Sequence, residues 1–213
     1  MSKTETSPTR PLRKDSLRKR SSIIEVATAM FLELGYEKAS MNTLAQRTGA
    51  SKSTLYKHFQ SKETLFIAVI DEEMQAHLTA IDNPDFSKMD IKPGLNSIGM
   101  TAFEGLTSKR HISLCRVIYA EAERIPFVGK IYIERGPRPT IDGVAKFLKK
   151  MITSGEIKCV TPDAAAQYFC GMLLHLPMLM QICDFAPVLT KKRRQAFVTQ
   201  VVDDFVNAFI VAK

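Results

Sequence analysis

Paired cysteines, metal-ligand clusters and catalytic signatures are the features that this chain lacks most clearly. It has four cysteines and four histidines in 213 residues, and their positions show neither disulfide pairing nor metal-ligand spacing. A glycine-rich phosphate loop and a GxSxG nucleophile turn are also absent from the sequence. We therefore predict that the chain is not an enzyme and requires no metal and no cofactor.

The distribution of the cysteines indicates a reducing environment. Cys115, Cys159, Cys170 and Cys183 all lie in the second half of the chain. Such a pattern is typical of reduced thiols in a cytoplasmic protein rather than of a disulfide framework. We expect them to be core cysteines, with a redox-sensing thiol as the alternative.

Strand-like alternation is scarce, and apolar residues recur at helical spacing almost throughout, which predicts an all-α protein. One stretch requires a membrane test, because twenty uncharged residues lie between Asp163 and Asp184. They include Gln167, His175 and Pro177, and no basic flank adjoins them. A helix buried on nearly all sides within a soluble helical protein explains this stretch better than a membrane span.

Basic charge is concentrated at the start of the chain. Residues 1–20 carry seven basic and two acidic side chains, a net charge of +5 out of +8 for the whole sequence. We predict a flexible basic tail that follows DNA phosphates or enters the minor groove, with a simply solvated tail as the alternative. It has no apolar segment of the kind found in secretory signals.

Helical periodicity and punctuation divide the rest of the chain into ten predicted helices. The first extends from Ser22 to about Leu34 and stops at Gly35. The remaining predicted helices are 41–48, 52–59, 62–80, 94–107, 110–123, 127–135, 139–154, 163–184 and 190–211.

The second and third predicted helices have the punctuation of a helix-turn-helix. Ser40 and Ser51 are suitable N-caps, and Gly49 supplies the left-handed residue that ends a helix. Two short helices joined around a glycine form a DNA-reading unit whose second helix enters the major groove. On a helical wheel Leu55 and Phe59 face inward, and the opposite face carries Ser53 and Lys57, with Thr54 and Tyr56 beside them. The alternative is a plain solvated helix face.

Two stretches resemble a known family. Residues 22–70, including IIEVATAMFLELGYEKASM and SMNTLAQRTGASKSTLYKHFQSKETLF, resemble the N-terminal domain of the TetR family of transcriptional regulators. The segment RVIYAEAERIPFVGKIYIERGP, 116–137, is similar to AefR-like members. The resemblance implies a three-helix helix-turn-helix domain at 21–66, after the tail at 1–20. It also implies a larger helical-bundle domain for ligand sensing and dimerisation at 67–213.

The expected DNA contacts combine the wheel, the helix N-termini and the resemblance. Small hydroxyls and a lysine on the outer face suit base edges, and the first turn of the second helix suits phosphates. The resemblance implies backbone contacts for Tyr56, His58 and Lys62, although His58 could instead face the bundle. The predicted DNA-binding residues are Ser40, Asn42, Thr43, Ser51, Lys52, Ser53, Thr54, Tyr56, Lys57, His58 and Lys62.

The second half has the composition of an effector site between helices. Aromatic, methionine and cysteine side chains with few charges suit a small apolar or amphipathic effector. The candidates are Phe103, Cys115, Arg116, Tyr119, Phe147, Met151, Tyr168, Met172 and His175. Two of them have alternatives, which are a bond to a backbone carbonyl for His175 and a pair with Glu121 or Glu123 for Arg116.

Members of this family pair through their last two helices, and the resemblance implies the same arrangement for this chain. Phe197, Val201, Phe205 and Phe209 recur at steps of four and form the predicted dimer interface, with an intramolecular core as the alternative. We therefore predict a homodimer that binds a palindromic double-stranded DNA operator and is released by a small effector. We expect the protein to repress transcription, with activation as the alternative.

Overall fold

The computed structural model describes residues 11–81, 89–155, 157–158, 161–185 and 189–212. Over these residues the chain is all-α, as predicted, apart from one pair of two-residue strands. The ten helices of the described residues are α1 Pro11–Lys38, α2 Met41–Thr48, α3 Lys52–His58, α4 Lys62–Ile81, α5 Ile91–Leu106, α6 Lys109–Glu121, α7 Pro126–Arg135, α8 Pro137–Thr153, α9 Pro162–Ile182 and α10 Lys191–Phe209. None of the helices so described is long and apolar enough to cross a membrane.

The chain divides into two compact units, residues 1–69 and 70–213. The first unit contains α1, α2, α3 and the first two turns of α4. Its core includes an aromatic cluster in which the Phe66 ring lies 5.1 Å from that of Phe31 and 4.9 Å from that of Tyr36. Leu44 of α2 and Leu55 of α3 are fully buried in this unit, so both short helices are anchored to its core.

The first helix begins earlier than predicted. Residues 11–20 belong to α1. The expectation of a flexible tail over residues 1–20 is therefore wrong for this part of the chain. Pro11 suits the first turn of a helix, and the following Leu, Arg and Lys residues are strong helix formers. Residues 1–10 lie outside the described residues. The predicted break at Gly35 is confirmed, because this residue leaves helical geometry with φ 75° and ψ 174°.

The second unit is a bundle in which α8 packs on α9 and α5 packs on α10. Its largest fully buried side chains include Phe103, Phe169 and Phe205, and the Phe169 and Phe205 rings meet edge to face at 5.2 Å. Two short strands, β1 Ile157–Lys158 and β2 Val211–Ala212, pair antiparallel with Ile157 opposite Ala212. This pair holds the end of the chain against the segment that follows α8.

The expectation that the apolar helix α9 is buried on nearly all sides is wrong. Phe169, Leu173 and Leu174 are buried in the protomer, but Tyr168 and Leu176 are 53% and 59% exposed. Met172 and Leu179 are exposed as well. The helix has apolar residues on both faces, and hydrophobic periodicity alone does not tell which face the protomer itself covers.

The predicted dimer stripe on α10 also needs correction. Val201 and Phe205 are buried within the protomer, and Phe197 packs against Phe103 with ring centroids 5.5 Å apart. Of the four stripe residues, Phe209 alone is exposed, and its ring lies 5.2 Å from that of Tyr168. The stripe is therefore mainly the core face of α10, because residues spaced four apart lie on one side of a helix.

Candidate functional site

Helix α2 begins and ends as its sequence predicts. The Ser40 hydroxyl accepts a hydrogen bond from the Thr43 backbone N–H at 3.1 Å, and its oxygen lies 2.9 Å from Thr43 Oγ1. Gly49 ends the helix in the left-handed conformation, with φ 64°. Arg47 also pairs with Glu33 of α1 at 2.8 Å, and this contact lowers the pKa of the exposed Glu33 carboxyl. A serine cap and a left-handed glycine thus set the two ends of α2.

Helix α3 is capped in the same way. The Ser51 hydroxyl accepts from the Thr54 backbone N–H at 3.2 Å and lies 3.0 Å from the Ser53 hydroxyl oxygen. Leu55 and Phe59 are buried, as the helical wheel predicts. The cap and the two buried residues fix which side of this seven-residue helix faces outward.

The outer face of α3 is polar, basic and accessible. Lys52, Ser53, Tyr56 and Lys57 are exposed, and Thr54 is half-buried beside them. We call Lys52, Ser53, Thr54, Tyr56 and Lys57 the α3 outer face. The structure brings these five predicted residues together on one side of one helix.

The other predicted DNA contacts lie around this face. Asn42 is exposed in the first turn of α2, whereas Ser40 and Thr43 are half-buried and bonded to each other. Ser51 is exposed and serves as the α3 cap. His58 is half-buried, with its ring centroid 6.4 Å from that of Phe59.

Lys62 has a structural role that sequence patterns did not reveal. Its ammonium donates hydrogen bonds to the backbone carbonyls of Tyr36 at 3.0 Å and Glu37 at 3.2 Å. It also lies 4.5 Å from the centroid of the Tyr36 ring. A cation near the carboxyl end of a helix is favourable, so Lys62 fastens the start of α4 to the end of α1.

The second unit contains a cavity of about 330 Å³ between α9 and the helices α5, α6, α7 and α8. Its lining residues are mostly apolar: Leu106, Tyr119, Tyr132, Pro137, Thr140, Ile141, Gln167, Cys170, Gly171, Leu174, His175, Met178, Leu179 and Ile182. The volume lies at the lower end of the range of ligand sites, roughly 300–1,000 Å³. Residues from several helices are needed to build it.

A chain of hydrogen-bonding side chains reaches one wall of the cavity. The Tyr132 hydroxyl oxygen lies 3.2 Å from Cys115 Sγ and 3.3 Å from His111 Nε2, and all three residues are buried. Tyr119 meets the Tyr132 ring edge to face at 6.2 Å. Burial raises the pKa of the Cys115 thiol to about 11 and raises the pKa values of both tyrosine hydroxyls. We call Tyr119, Tyr132, His111 and Cys115 the tyrosine relay.

Only two of the predicted effector residues, Tyr119 and His175, line this cavity. Cys115 lies one layer behind it. Arg116 caps the end of α9 instead, donating from Nε to the Ile182 carbonyl at 2.9 Å and from Nη2 to the Gln181 carbonyl at 2.7 Å. The cation is therefore used to satisfy carbonyl groups that a helix end leaves without intrahelical partners.

The other predicted effector residues lie outside the cavity lining. Phe103 and Met151 are core residues, and Phe147 packs against Gly94 so closely that a methyl group there would overlap the ring. Tyr168 and Met172 are on the exposed face of α9. Composition indicated the correct half of the chain, but it did not separate side chains facing the cavity from those facing the core.

Tyr132 is the functional candidate that sequence reasoning missed. It lies between Ile131 and Ile133 in α7, and nothing in that pattern distinguishes a cavity tyrosine from a core tyrosine. The signal is its contact with Cys115, which lies seventeen residues earlier in the chain.

The capped helix pair with an exposed basic face defines a helix-turn-helix DNA-binding protein. Comparison with known proteins identifies its kind. Residues 23–69 match the family model described as bacterial regulatory proteins, tetR family, and residues 93–210 match that of the AefR-like transcriptional repressor, C-terminal domain. The chain belongs to the TetR family of transcriptional regulators.

Solved structures and curated relatives agree with this assignment. A TetR-family transcriptional regulator from Mesorhizobium loti is 30% identical, with a TM-score of 0.80 over 96% of this chain and 100% of that one. The flavonoid-responsive regulator FrrA is 26% identical, with a TM-score of 0.76 over 90% and 96% of the two chains. The HTH-type transcriptional regulator SAB2452 of Staphylococcus aureus is 38% identical over 68 residues, which is 32% of this chain. That match spans 37% of the length of the curated relative.

Proposed function

We propose that this protein is a homodimeric repressor that binds a near-palindromic DNA operator and is released by a small amphipathic effector. The observation that carries the proposal is the α3 outer face, held outward by the Ser51 cap and by buried Leu55 and Phe59. Repression is the proposed direction because the C-terminal family model is that of AefR-like repressors. Activation is the alternative direction.

The chemistry of the α3 outer face suits base recognition. Lysine hydrogen-bonds guanine acceptors, and the carbon atoms of threonine or tyrosine contact a thymine methyl group. Lys57 and Ser53 lie near the centre of this face, with Tyr56 and Thr54 beside them. Phosphate contacts from the first turn of α2 would set the register, while the α3 outer face supplies the choice of sequence.

Dimerisation is supported by the exposed side of α9. Tyr168, Met172 and Leu176 recur at steps of four, and Leu179 and Phe209 extend the exposed apolar surface. We call these five residues the α9 patch. A large apolar patch on a soluble protein favours an interaction site, and a single DNA-binding module buries little surface. A second copy is the proposed partner, with recognition helices about one DNA turn, ~34 Å, apart.

The cavity is the proposed effector site, and residues next to its wall lie close to the second half of α4. A methyl group added at Gly136 would lie 3.1 Å from Met74 Sδ, and one added at Gly143 would lie 2.5 Å from Ile81 Cγ2. Gly136 adjoins the cavity residue Pro137, so a ligand that displaces this wall also displaces Met74 of α4. Release by a factor of 100 requires about 2.7 kcal/mol of differential affinity.

FrrA supplies a first class of compound to test. It is named for its response to flavonoids, and the similarity covers nine-tenths of this chain. The mostly apolar lining, interspersed with tyrosine, glutamine and histidine, is compatible with such a compound. We therefore propose a flavonoid screen as the starting point for the search for an effector.

The DNA-binding proposal is tested by selecting sequences from a random duplex library and then measuring affinity for the enriched site. Lys57→Ala is expected to cost about 1–3 kcal/mol if it touches a base. Lys150→Ala, an exposed lysine of α8, is the matched control and should leave affinity unchanged. If about eight phosphates are neutralised per dimer, the log–log salt slope is near −7. No enriched sequence, or a slope near zero, would contradict the proposal.

The dimer proposal has its own test in sedimentation analysis. Leu176→Glu places a charge in the α9 patch and is expected to convert the dimer to monomer and weaken operator binding. Leu17→Glu changes an equally exposed leucine of α1 and should leave the dimer intact. If Leu176→Glu remains a dimer, the interface does not include the α9 patch.

A further inference from the structure

The described residues that line the cavity include no lysine, arginine, aspartate or glutamate. The polar groups that they offer belong to tyrosine, threonine, glutamine and histidine side chains. Arg116, the one arginine among the predicted effector residues, is engaged with the carbonyl oxygens at the end of α9. An anionic ligand would thus lose part of its hydration without gaining an ion pair from a lysine or arginine of the lining, which is unfavourable.

The cysteines nearby do not supply negative charge either. Burial raises the pKa of Cys170, which lines the cavity, to about 12, and that of Cys115 to about 11. Burial likewise raises the pKa values of the Tyr119 and Tyr132 hydroxyls. At neutral pH these groups are protonated, so a cationic ligand finds no thiolate or phenolate partner among them.

Tyr119 is the accessible member of the tyrosine relay. Tyr119 is 54% exposed, whereas Tyr132, Cys115 and His111 are buried behind it. The Tyr132 hydroxyl already has Cys115 and His111 within 3.3 Å. The hydroxyls of Tyr119 and Tyr132 are also hydrogen-bonded to each other. Because Tyr132 keeps Cys115 and His111 as partners, a ligand hydroxyl can take over the bond to Tyr119 without leaving a buried group unsatisfied.

We propose that the cavity selects an electrically neutral amphiphile whose hydroxyl group bonds Tyr119 and whose apolar part lies against Leu174, Met178 and Ile182. This inference rests on the proposed role of the cavity as the effector site, and it narrows the effector class by charge and by one polar anchor. Acyl chains that end in a free carboxylate or carry phosphates fall outside the class, as do polycations.

Three matched compounds test the class on the full-length protein. Propyl 4-hydroxybenzoate is neutral at pH 7 and has a free hydroxyl. Its isomer 4-propoxybenzoic acid is ionised at that pH, and propyl 4-methoxybenzoate lacks the hydroxyl hydrogen. Calorimetric titration without DNA is expected to give at least about tenfold tighter binding of the hydroxy ester than of the ionised isomer. Several-fold tighter binding is expected relative to the methyl ether.

The anchor is tested with two variants that each remove one hydroxyl. Tyr119→Phe is expected to abolish the preference for the hydroxy ester over its methyl ether, while Thr153→Val, which removes an exposed hydroxyl of α8 outside the cavity lining, retains it. Thermal unfolding of both variants checks their folding.

Three results would overturn the inference. They are equal or tighter binding of the acid, an unchanged preference in Tyr119→Phe, and failure of all three compounds to bind a protein that still unfolds cooperatively. DNA release is measured separately. Binding of the ester without release would count against the proposed effector mechanism and leave the charge selectivity intact.

Discussion

The α2–α3 pair is built from one short stretch of the chain, whereas the cavity is built from residues that lie far apart in the sequence. The helix pair is complete within residues 40–59, and each of its serine caps acts on an N–H three residues away. The cavity draws its lining from Leu106 to Ile182 and from several helices. A substitution on the outer face of the first site should therefore change binding alone, whereas one at the second should change binding and packing together.

This contrast follows from what each site must do. A DNA-reading helix needs one side exposed, so its functional side chains make few contacts with the protein. A cavity is the inner surface of a core, and its walls are the same side chains that hold the bundle together. The predictions below separate stability from binding in each region.

The largest effect is expected for Phe66→Ala. Phe66 is fully buried and meets both Phe31 and Tyr36, so its truncation should cost about 3–5 kcal/mol of unfolding free energy. Tyr56→Ala removes an exposed aromatic of the same unit and should change stability by no more than about 0.5 kcal/mol while weakening DNA binding. Urea unfolding followed by circular dichroism gives both values. Equal losses of unfolding free energy in the two variants would show that the α3 outer face is covered by protein.

Local features of the first unit could be predicted because their causes lie within a few residues. Ser40, Gly49 and Ser51 act on the helix ends next to them, and the spacing of Leu55 and Phe59 sets the buried side of α3. The family resemblance pointed to the same residues. Lys62 is the exception, because its carbonyl partners lie twenty-five and twenty-six residues earlier in the chain.

The second unit could be predicted in outline only. Helical periodicity gave its six helices, but the two apolar sides of α9 look alike in sequence, and the α10 stripe proved to be mainly core. Tyr132 lines the cavity and contacts Cys115 and His111, and these contacts depend on how α6 and α7 pack. Such pairings are set by tertiary structure, which a single sequence pattern does not encode.

Raising the pH above 9 should lower the unfolding free energy of the second unit, because a buried thiol there is protonated when the protein is folded. The pKa of Cys115 is raised from 9.0 to about 11, so the folded protein keeps a proton that the unfolded chain releases. Its contribution is complete below pH 9 and is lost as the pH rises toward 11, a loss of about 2 kcal/mol. Cys115→Ser should flatten this decline in unfolding free energy, and Cys183→Ser, which changes an exposed thiol, should not. Parallel declines in both variants would assign the alkaline loss to other groups.

Lys62→Met tests whether this residue supports the fold or only contacts phosphate. Loss of its bonds to the Tyr36 and Glu37 carbonyls should lower the unfolding free energy of the DNA-free protein by about 1 kcal/mol. Lys52→Met, which changes an exposed lysine of the α3 outer face, should leave unfolding unchanged and weaken DNA binding. Wild-type stability in Lys62→Met, combined with a salt slope reduced by about one, would favour a phosphate contact instead.

The smallest effect, Gly171→Ala, is a test of the space inside the cavity, because Gly171 is one of its lining residues. A methyl group at Gly171 meets no atom within 4 Å, so the expected change is the gain in helix propensity, about 0.5–1 kcal/mol. Gly99→Ala should gain less, because its methyl group would lie 3.1 Å from Val198 Cγ1 and 3.3 Å from Phe169 Cζ. Thermal unfolding of both variants without ligand measures these changes. A loss of stability in Gly171→Ala would mean that the cavity is closed at this position in the free protein.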